Sequence, residues 1–505
     1  MAPSPNNRGT HRSPVMLIGL RVNTALCNSP RTVFIHILDD YSLLHIFYLY
    51  RPPLLGEDGD DDARLWGGRE RWVCGRWWYG LSHVCQRWRN ILLGSASYLE
   101  LCLVCTYGTP VADMLAHSPP LPLVLDYLEE GHDITTDEEG IIFALSQLDR
   151  VLRVRLNTPV TSLQKLIAAM DEEYSILEFL VIVLPTEDVS TTLTFPETLY
   201  APHLRHLRLS GFAIPIGSRL LTAAVGIVTL SLVMVQPSTY FNPNTLLQWI
   251  SLMPQLETLT IYFNFSIPNR DVERQLMHTP IIAPVTLPNL HRSQFHGAST
   301  YLEALVQLIT TPRLMKLDID FINRLTFFVP RLPQLMNTAE KPRFDGAGFA
   351  FSDEQVDMGV YPRGDFERHF LGIIVLSRHL DWQVSSMAQI SKSLSQMLFA
   401  VEHLTFQHNV HSRPSEEHNQ VDHTEWHKLL RPFSNVKTLW IDDGLVEELS
   451  RCLQLEDGEL ALELLPELQE LTYSGTGDTG NAFTSFIKAR QNAGRPVTLV
   501  LDQRL

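Results

Sequence analysis

The residues that most suggest chemistry lie near the C-terminus, where Gly475, Gly477 and Gly480 spell GxGxxG between a predicted strand and a predicted helix. Asp502 follows about 20 residues later, which is the spacing of a dinucleotide-binding fingerprint. A dinucleotide site needs several further strands to complete its crevice, and only three residues follow Asp502. We therefore expect a glycine turn in a terminal repeat, with a cofactor site as the remote alternative.

A second candidate is a group of six histidines within a short stretch. His423 and His427 are four residues apart, so on a helix they would share a face and could bind a metal ion. The HExxH pattern is absent because Thr424 follows His423. We therefore expect solvent-exposed loop histidines rather than a metal site. The six are His403, His408, His411, His418, His423 and His427.

The other candidates are weaker. Cys102 and Cys105 lack a second pair at zinc spacing, and the alternation around them predicts a strand with the two thiols on opposite faces. The acidic stretch 57–62 lacks the glycine and the final glutamate of a calcium loop. No nucleophile elbow, phosphate loop or paired-carboxylate arrangement is present. The sequence therefore predicts a protein that is not an enzyme and carries no cofactor or metal.

The elements that would position such residues follow a six-residue pattern, apolar-x-x-apolar-x-apolar, that returns every 23 to 35 residues. On a strand, the last two apolar residues of each copy would enter a core and the residue between them would face outward. The copies start at Val151, Leu177, Leu204, Ile227, Leu256, Leu290, Leu314, Phe344, Leu371, Val401, Val436 and Leu468. Periods in this range indicate stacked repeats, so the pattern predicts a leucine-rich-repeat-like solenoid.

The segments between the copies have the spacing of helices. Leu302, Leu305 and Val306 fall on one helical face, and Thr300 with Glu303 predicts a capping box at its start. Most copies lack the Asn or Cys that regular leucine-rich repeats place shortly after the strand; Phe212 is one substitute. We therefore expect an α/β fold built as an irregular solenoid.

Composition limits the class of protein and of partner. The 505 residues carry a net charge of −16 and are 45% hydrophobic, which excludes general disorder and disfavours nucleic acid or an anionic membrane as the main partner. Six scattered cysteines indicate a reducing compartment rather than a disulfide framework. No apolar stretch reaches the ~20 residues that span a bilayer. We expect an intracellular protein of the cytoplasm, the nucleus or both, with no membrane partner.

The N-terminal region has a different pattern from the repeats. We predict a flexible tail at 1–33, a helical module at 34–110 with an acidic and glycine-rich insert at 53–75, and the solenoid at 111–505. The first helix of the module would be capped by Asp39 or Asp40. A second single helix would begin near Trp77. The apolar face of that helix would comprise Leu81, Val84, Cys85, Trp88 and Ile91.

The order LL-x-IF followed by V-C-x-x-W-R-x-I resembles the F-box, a small helical module that docks on the Skp-type adaptor of cullin-based ubiquitin ligases. With the repeats behind it, the chain is similar to the F-box-like leucine-rich-repeat proteins expanded in mushroom-forming fungi. Asp39 stands where that pattern has proline. The resemblance implies an adaptor-binding surface formed or supported by Leu43, Leu44, Ile46, Phe47, Val84, Cys85 and Trp88. Packing of the module's own core would account for the same apolar residues equally well.

The function that follows from the resemblance is that of a non-catalytic substrate receptor. It would link an unknown target protein to a cullin-based ligase through the Skp-type adaptor and act by raising the local concentration of the target. The alternative is an F-box-derived repeat scaffold that binds proteins without any ubiquitin ligase.

Target binding is expected on the strand-lined face of the solenoid, the face that such folds commonly use. The outward positions that we single out are Arg205, His206, Arg208, Lys437 and Trp440. A solvated face without a partner is the simpler interpretation for each residue except Trp440. An outward tryptophan exposes apolar area unless a partner, or the segment 407–423, covers it.

Overall fold

The chain divides into two compact units, Met1–Gly56 with Trp77–Leu99, and Glu57–Arg76 with Glu100–Leu505. The computed structural model describes residues 38–51, 76–128, 137–184, 193–223, 225–234, 237–264, 284–322, 327, 329–337, 344–362, 369–409, 421–454, 463–474 and 482–502. We call residues 38–51 and 77–99 the helical unit, and the described residues of the second unit the sheet unit. The predicted tail 1–33 and insert 53–75 lie outside the described residues.

The helical unit contains three helices, α1 (Asp40–Tyr50), α2 (Trp77–Ser82) and α3 (Gln86–Gly94). As predicted, Asp39 caps α1, because its Oδ1 accepts a hydrogen bond from the backbone N–H of Ser42 at 2.7 Å. The prediction of one continuous second helix is wrong. Cys85 has an extended backbone with φ −160° and ψ 167° as the N-cap of α3, so the chain turns between α2 and α3.

The sheet unit is built on one sheet of sixteen strands. Each of the twelve copies of the predicted motif coincides with one strand of this sheet. In chain order the sixteen are β1 (Leu103–Thr106), β2 (Leu123–Tyr127), β3 (Val151–Leu156), β4 (Phe179–Val183), β6 (His206–Ser210), β8 (Thr229–Met234), β9 (Thr258–Phe263), β11 (Arg292–Gly297), β13 (Lys316–Phe321), β14 (Gly346–Ser352), β15 (Gln355–Tyr361), β16 (Leu371–Leu376), β17 (His403–Asn409), β18 (Thr438–Ile441), β19 (Glu470–Ser474) and β20 (Thr498–Asp502). The four strands without a copy are β1, β2, β15 and β20.

Two parallel pairs of two-residue strands lie outside this sheet: β5 (Leu193–Thr194) with β7 (Phe212–Ala213), and β10 (Val285–Thr286) with β12 (Ile309–Thr310). The first strand of the large sheet, β1, falls inside the range 34–110 that the sequence assigned to the helical module. The division into units comes earlier, after Leu99.

Strand order departs from chain order at one place. From β1 to β13 and again from β17 to β20, neighbouring strands are parallel and follow the chain. Between them the order is β13-β16-β15-β14-β17, and β15 is antiparallel to both of its neighbours. The reason is a tight hairpin that joins β14 to β15 through residues 353–354, so that the chain folds back before it makes β16. The fold is therefore mixed α/β with a large, mainly parallel sheet, consistent with an irregular leucine-rich-repeat-like solenoid.

Helices connect most of the strands. They are α4 (Val111–His117), α5 (Glu138–Leu145), α6 (Val160–Ala169), α7 (Arg219–Ala223), α8 (Pro243–Ser251), α9 (Ser299–Val306), α10 (Leu332–Asn337), α11 (Leu380–Ser393), α12 (Ser395–Leu398), α13 (His423–Leu430), α14 (Asp443–Cys452) and α15 (Thr484–Asn492). None of the described helices is long and apolar enough to cross a membrane.

The core lies between the strands and these helices. Leu439 and Ile441, the last two apolar residues of one motif copy, are buried as predicted, and the equivalent residues of the other clear copies are buried too. On the helix side, the ring of Trp426 in α13 lies 5.7 Å from Phe351 and 5.9 Å from Phe406. The helices therefore cover the face of the sheet to which the motif's apolar residues point.

The predicted capping box at Thr300 does not form. Helix α9 begins at Ser299, two residues earlier than a box with Thr300 as N-cap requires, and its N-cap Ala298 has no side-chain hydrogen bond to offer. Glu303 turns instead toward Arg331, whose backbone N–H it accepts at 3.2 Å. The predicted apolar face of the helix is correct, since Leu302, Leu305 and Val306 are buried.

Candidate functional site

The seven residues predicted for the adaptor-binding surface differ in how far they are exposed in the helical unit. Leu43 and Phe47 are each only 1% exposed, and the Phe47 ring meets the edge of Trp88 at 5.0 Å. Ile46 and Val84 are 46% and 55% exposed. The remaining three, Leu44, Cys85 and Trp88, are half-buried. Leu43 and Phe47 therefore belong to the core of the unit, and only the other five residues offer surface to a partner.

Helix α1 exposes more apolar surface than the sequence prediction recognised. Tyr41, Leu49 and Tyr50 are 82%, 69% and 64% exposed, and none of them was singled out from the sequence. The signal was available, because a helix that is apolar on every side must either be buried all round or present an apolar face. We call Tyr41, Ile46, Leu49, Tyr50 and Val84 the exposed apolar set.

A groove of ≈ 700 Å³ runs between α1 and α3, lined among others by Tyr41, Leu44 and Ile91. The Arg87 guanidinium closes one part of it. Its Nη2 lies 2.6 Å from Asp40 Oδ1, and it also donates to the backbone carbonyl of Leu38 at 2.6 Å. This pair fixes the first turn of α1 against α3, so the groove and the exposed apolar set keep a defined geometry.

In the sheet unit, the predicted outward residues differ in their exposure and in their contacts. Arg205 is exposed, and Arg208 and Lys437 are half-buried. Lys437 forms an ion pair with Glu402 at 2.8 Å. His206 is also half-buried, and its Nδ1 lies 3.2 Å from Thr229 Oγ1. Burial, helped by the positive charge of Arg205, lowers the pKa of His206 to about 4, so this imidazole is neutral at neutral pH.

Trp440 is half-buried on the outward face, where its backbone pairs with Thr405 on one side and Thr472 on the other. Its indole extends across the next strand, and Nε1 donates a long hydrogen bond to Asp502 Oδ2 at 3.5 Å. Asp502 is the residue that the dinucleotide interpretation required for a ribose; here it receives an indole N–H. The glycines of that motif, 475–480, and most of the segment 407–423 lie outside the described residues.

Not every outward position is open. The outward row that contains Arg208 and Trp440 also contains Arg155 and Val181, which are 4% and 1% exposed. Arg155 is paired with Asp126 of the neighbouring strand at 3.3 Å. The rule that the middle residue of each motif copy faces solvent therefore fails at β3 and β4.

It also fails at two later copies. In β8 the middle residue Ser231 is only 2% exposed. In β16 the predicted alternation is reversed, because the middle residue Val375 is 1% exposed and Leu376, predicted to enter the core, is 43% exposed.

A concavity on the outward face was not predicted. A cleft of ≈ 460 Å³ lies over β9, β11, β13, β16 and β15, and we call it the acidic cleft. Its lining includes the three carboxylates Asp318, Asp320 and Asp357, together with His296, His369, Tyr262 and Gln294. Asp318 and Asp320 come from one strand, and Asp357 comes from the antiparallel strand β15.

Two histidines contact the carboxylates of the acidic cleft. His369 Nε2 lies 2.6 Å from Asp318 Oδ1, and His296 Nδ1 lies 3.4 Å from Asp320 Oδ2. The His296 ring is stacked on Tyr262, with centroids 3.9 Å apart and planes 11° from parallel. This pair gives the cleft a flat aromatic wall beside its carboxylates.

The pKa values of Asp318 and Asp357 are shifted in opposite directions. Burial acts to raise the pKa of Asp318, but the hydrogen bond from His369 and the positive charge of Lys316 outweigh it and lower that pKa. Burial raises the pKa of Asp357 and the neighbouring Asp320 adds to the rise, against a hydrogen bond from Gln355. Burial and Asp320 likewise raise the pKa of Tyr262. Negative charge is therefore concentrated where β13 and β15 come near each other.

Three glycines share the outward row beside Asp318. Gly372, Gly359 and Gly348 are consecutive partners across β16, β15 and β14. At Gly372, a Cβ atom would come within 2.9 Å of His369 Nε2 and 3.0 Å of Asp318 Oδ1. The absence of side chains lets His369 lie close over the sheet, next to Asp318, and deepens the cleft at this end.

Sequence reasoning missed the acidic cleft because its register depends on the reversed strands. The motif copy LMKLDI was recognised, and Asp318 is its outward residue. The alternating strand QVDMGVY, which supplies Asp357 and Gly359, follows no repeat spacing. Period-two alternation was the signal that could have found β15, but not its position between β14 and β16.

The histidines of the C-terminal third are not exposed loop residues where they are described. His403 and His408 lie in β17, both half-buried, with His403 Nδ1 2.6 Å from Thr438 Oγ1. His423 and His427 are half-buried on α13. The expectation of loop histidines is therefore wrong for these four. His411 and His418 lie outside the described residues.

The pair Cys102 and Cys105 agrees with the expected separation. Cys105 is buried in β1, Cys102 precedes the strand and is half-buried, and both are free thiols. Burial raises the pKa of Cys105 to about 12, so this thiol is protonated and unreactive at neutral pH.

Comparison with known proteins adds no argument about the fold or the function of the chain. No protein-family model and no curated protein matches the chain. Among solved structures, the chain is similar to the leucine-rich repeat-containing protein LegL7 of Legionella pneumophila, at 12% sequence identity, with 71% of this chain and 95% of that chain covered and a TM-score of 0.26. Likeness at that TM-score carries no argument, so the description of the fold rests on the motif and the sheet.

Proposed function

We propose that the chain is a non-catalytic substrate receptor. The helical unit would bind a Skp-type adaptor of a cullin-based ubiquitin ligase, and the outward face of the sheet would bind a target protein. The observation that carries this proposal is the exposed apolar set on a unit whose sequence resembles the F-box. Eight of the 19 exposed large apolar side chains among the described residues belong to the helical unit, although it is far smaller than the sheet unit. Apolar surface at that density indicates a docking surface.

The mechanism would need no reacting group. A receptor that binds both the adaptor and the target holds the target next to the ligase. This raises the effective concentration of the target at the ligase. The imidazoles and carboxylates of the acidic cleft would then serve recognition.

The target would present a cationic side chain to the acidic cleft. Asp320 keeps 36% of its side chain exposed, and it faces a cleft that already contains Asp318 and Asp357. A face of Tyr262 or His296 on the outer side of their stack would suit a guanidinium, which stacks on flat rings while its N–H groups reach carboxylates. An arginine of the target fits this arrangement better than an acidic or purely apolar residue does.

A scaffold without any ligase is the second candidate, and one observation favours it. Asp39 replaces the proline of the F-box pattern, and its side chain is used to cap α1. The entry into the first helix therefore differs from the family pattern at a position next to the exposed apolar set.

Adaptor binding tests the proposal directly. Purified full-length chain would be titrated with a purified Skp-type adaptor, alongside the variants Ile46→Asp and Val84→Asp. Both residues are about half exposed, so a charge there should leave the fold intact but should weaken binding at least about tenfold, which corresponds to ~1.4 kcal/mol.

Ile216→Asp is the matched control, because Ile216 is 64% exposed in the sheet unit. It should bind the adaptor as the unchanged protein does. Tight binding that neither helical variant reduces would mean that another surface docks. If the unchanged protein itself does not bind, the scaffold function replaces the receptor function.

A further inference from the structure

Three metal-ligating side chains meet between α13 and α14. His423 and His427 lie four residues apart on α13, and their ring centroids are 4.1 Å apart. Cys452 is the last residue of α14, and it is buried and forms no disulfide. One donor atom from each of the three residues lies within 4.8 Å of the other two. The two histidines were considered as ligands from the sequence, but Cys452 is 25 residues further on and only the packing of the two helices brings it to them.

The surrounding structure fixes this arrangement. Trp426 and Leu429, which flank the histidines on α13, are buried in the core and set the rotation of the helix. His427 Nε2 lies 2.9 Å from the backbone carbonyl oxygen of Cys452. A carbonyl can only accept, so Nε2 carries the proton and Nδ1 of His427 keeps its lone pair. A backbone carbonyl that holds one ring nitrogen and leaves the other as a ligand is the usual support of a metal-binding histidine.

The simpler interpretation is that His427 caps the carbonyl end of α14, as histidines near helix C-termini do. That role accounts for His427 and its hydrogen bond. It gives no reason for a second imidazole one turn away or for a thiol in the same space.

We infer that His423, His427 and Cys452 form a zinc site that joins two successive repeats. Two imidazoles and a thiolate are the ligands that Zn²⁺ takes, whereas Ca²⁺ and Mg²⁺ take oxygen. With Zn–N of ~2.0 Å and Zn–S of ~2.3 Å, the donors of a tetrahedral site lie about 3.3 to 3.6 Å apart. Donors within 4.8 Å of one another are at most about 1.5 Å further apart than this spacing, a gap that small shifts of the side chains would close. A water molecule completes the tetrahedron, and the thiol loses its proton to solvent on binding.

Bound zinc should stabilise this part of the sheet unit by mass action, because the three ligands come together only in the folded chain. The full-length chain, stripped of metal with a chelator, would be titrated with Co²⁺ and then with Zn²⁺. We expect one Co²⁺ per chain with a thiolate-to-cobalt charge-transfer band, its displacement by Zn²⁺, and a rise in melting temperature with either ion. Zinc should also protect Cys452 from alkylation.

The variants separate the metal site from the helix-capping role. His423→Gln, at a half-buried position that makes no cap, should lower zinc affinity at least about 100-fold while the metal-free melting temperature stays the same. Cys452→Ser should abolish the charge-transfer band, and Cys102→Ser, a half-buried thiol elsewhere in the sheet unit, should leave it unchanged. Cys452 is buried, so its variant could misfold. The test of the zinc site therefore rests on His423→Gln. Absence of the band in the unchanged chain, or zinc affinity that His423→Gln does not alter, would overturn the inference.

Discussion

The helical unit and the outward face of the sheet unit expose opposite chemistry. In the helical unit, Tyr41 and Leu49 are largely exposed, and the ion pair of Arg87 with Asp40 serves to hold two helices together. On the outward face of the sheet, the acidic cleft presents carboxylates and imidazoles, and most of the apolar residues of the repeat motif are turned away into the core. Surfaces that differ in this way would recognise different partners: one by removing apolar area from water, the other by charge and geometry.

The two units also differ in how their core residues and surface residues are arranged. In the helical unit, the same helix supplies core and surface, since Phe47 is buried and Ile46 beside it is half exposed. In the sheet unit the two roles alternate along each strand, so the surface row can change while the core row stays the same. Substitutions in α1 should therefore mix effects on folding and binding more than substitutions on the outward strand face do.

The largest effect is expected from Phe47→Ala compared with Ile46→Ala. Phe47 is buried against Trp88, so its truncation should cost the helical unit about 3 to 5 kcal/mol. Ile46→Ala should stay within about 0.5 kcal/mol, because the residue is half exposed. Hydrogen exchange of residues 38–51 and 77–99 measures the loss of stability in both variants, and the strands of the sheet unit serve as the internal reference. Equal protection in the two variants would mean that core and surface in α1 are assigned wrongly.

The next effect concerns the glycines beneath Tyr361. At Gly346 a new Cβ would lie 2.6 Å from Cδ2 of that buried ring, whereas at Gly359 it would lie 3.7 Å from Cδ1, an ordinary contact. Gly346→Ala should therefore cost about 1 to 3 kcal/mol by overpacking, and Gly359→Ala should cost much less. Urea denaturation of the two variants gives the difference. A larger cost at Gly359 would show that the ring does not lie over the sheet as described.

Trp440 tests whether the outward face contributes to stability. Trp440→Ala removes a half-buried ring and should cost about 1 to 2 kcal/mol, while Trp440→Phe should cost less, since the bond to Asp502 is at the long limit for a hydrogen bond. Both values come from chemical denaturation. A loss above about 3 kcal/mol for Trp440→Ala is typical of a core residue and would contradict the outward assignment.

The smallest effect is the acid dependence of Asp318. Its pKa is lowered in the folded protein, so its charge contributes stability that is fully present above the unfolded value of about 3.9 and is lost as the pH falls through the folded value. Asp318→Asn should therefore reduce stability at neutral pH, by about 1 kcal/mol or less, and the difference from the unchanged protein should shrink below about pH 4. Denaturation curves at a series of pH values measure it, and a difference that grows toward acid pH would contradict the sign.

The sequence by itself determined the repeated strands, because each motif copy encodes its own alternation of buried and outward residues within six positions. Twelve of the sixteen sheet strands, the burial of residues such as Leu439 and Ile441, and the cap of Asp39 on α1 follow from such local patterns. Each depends on neighbours in the chain, and local interactions are the ones that spacing records.

Tertiary structure decided whatever depends on which strand or helix lies beside which. The hairpin of β14 and β15 reverses the strand order, and only that reversal brings Asp357 into the row of Asp320 and aligns Gly348, Gly359 and Gly372 in one row. Packing of α13 on α14 likewise brings Cys452 to His423 and His427. These pairings join residues that are far apart in sequence, and their register is set by the packing of whole elements, which no local pattern encodes.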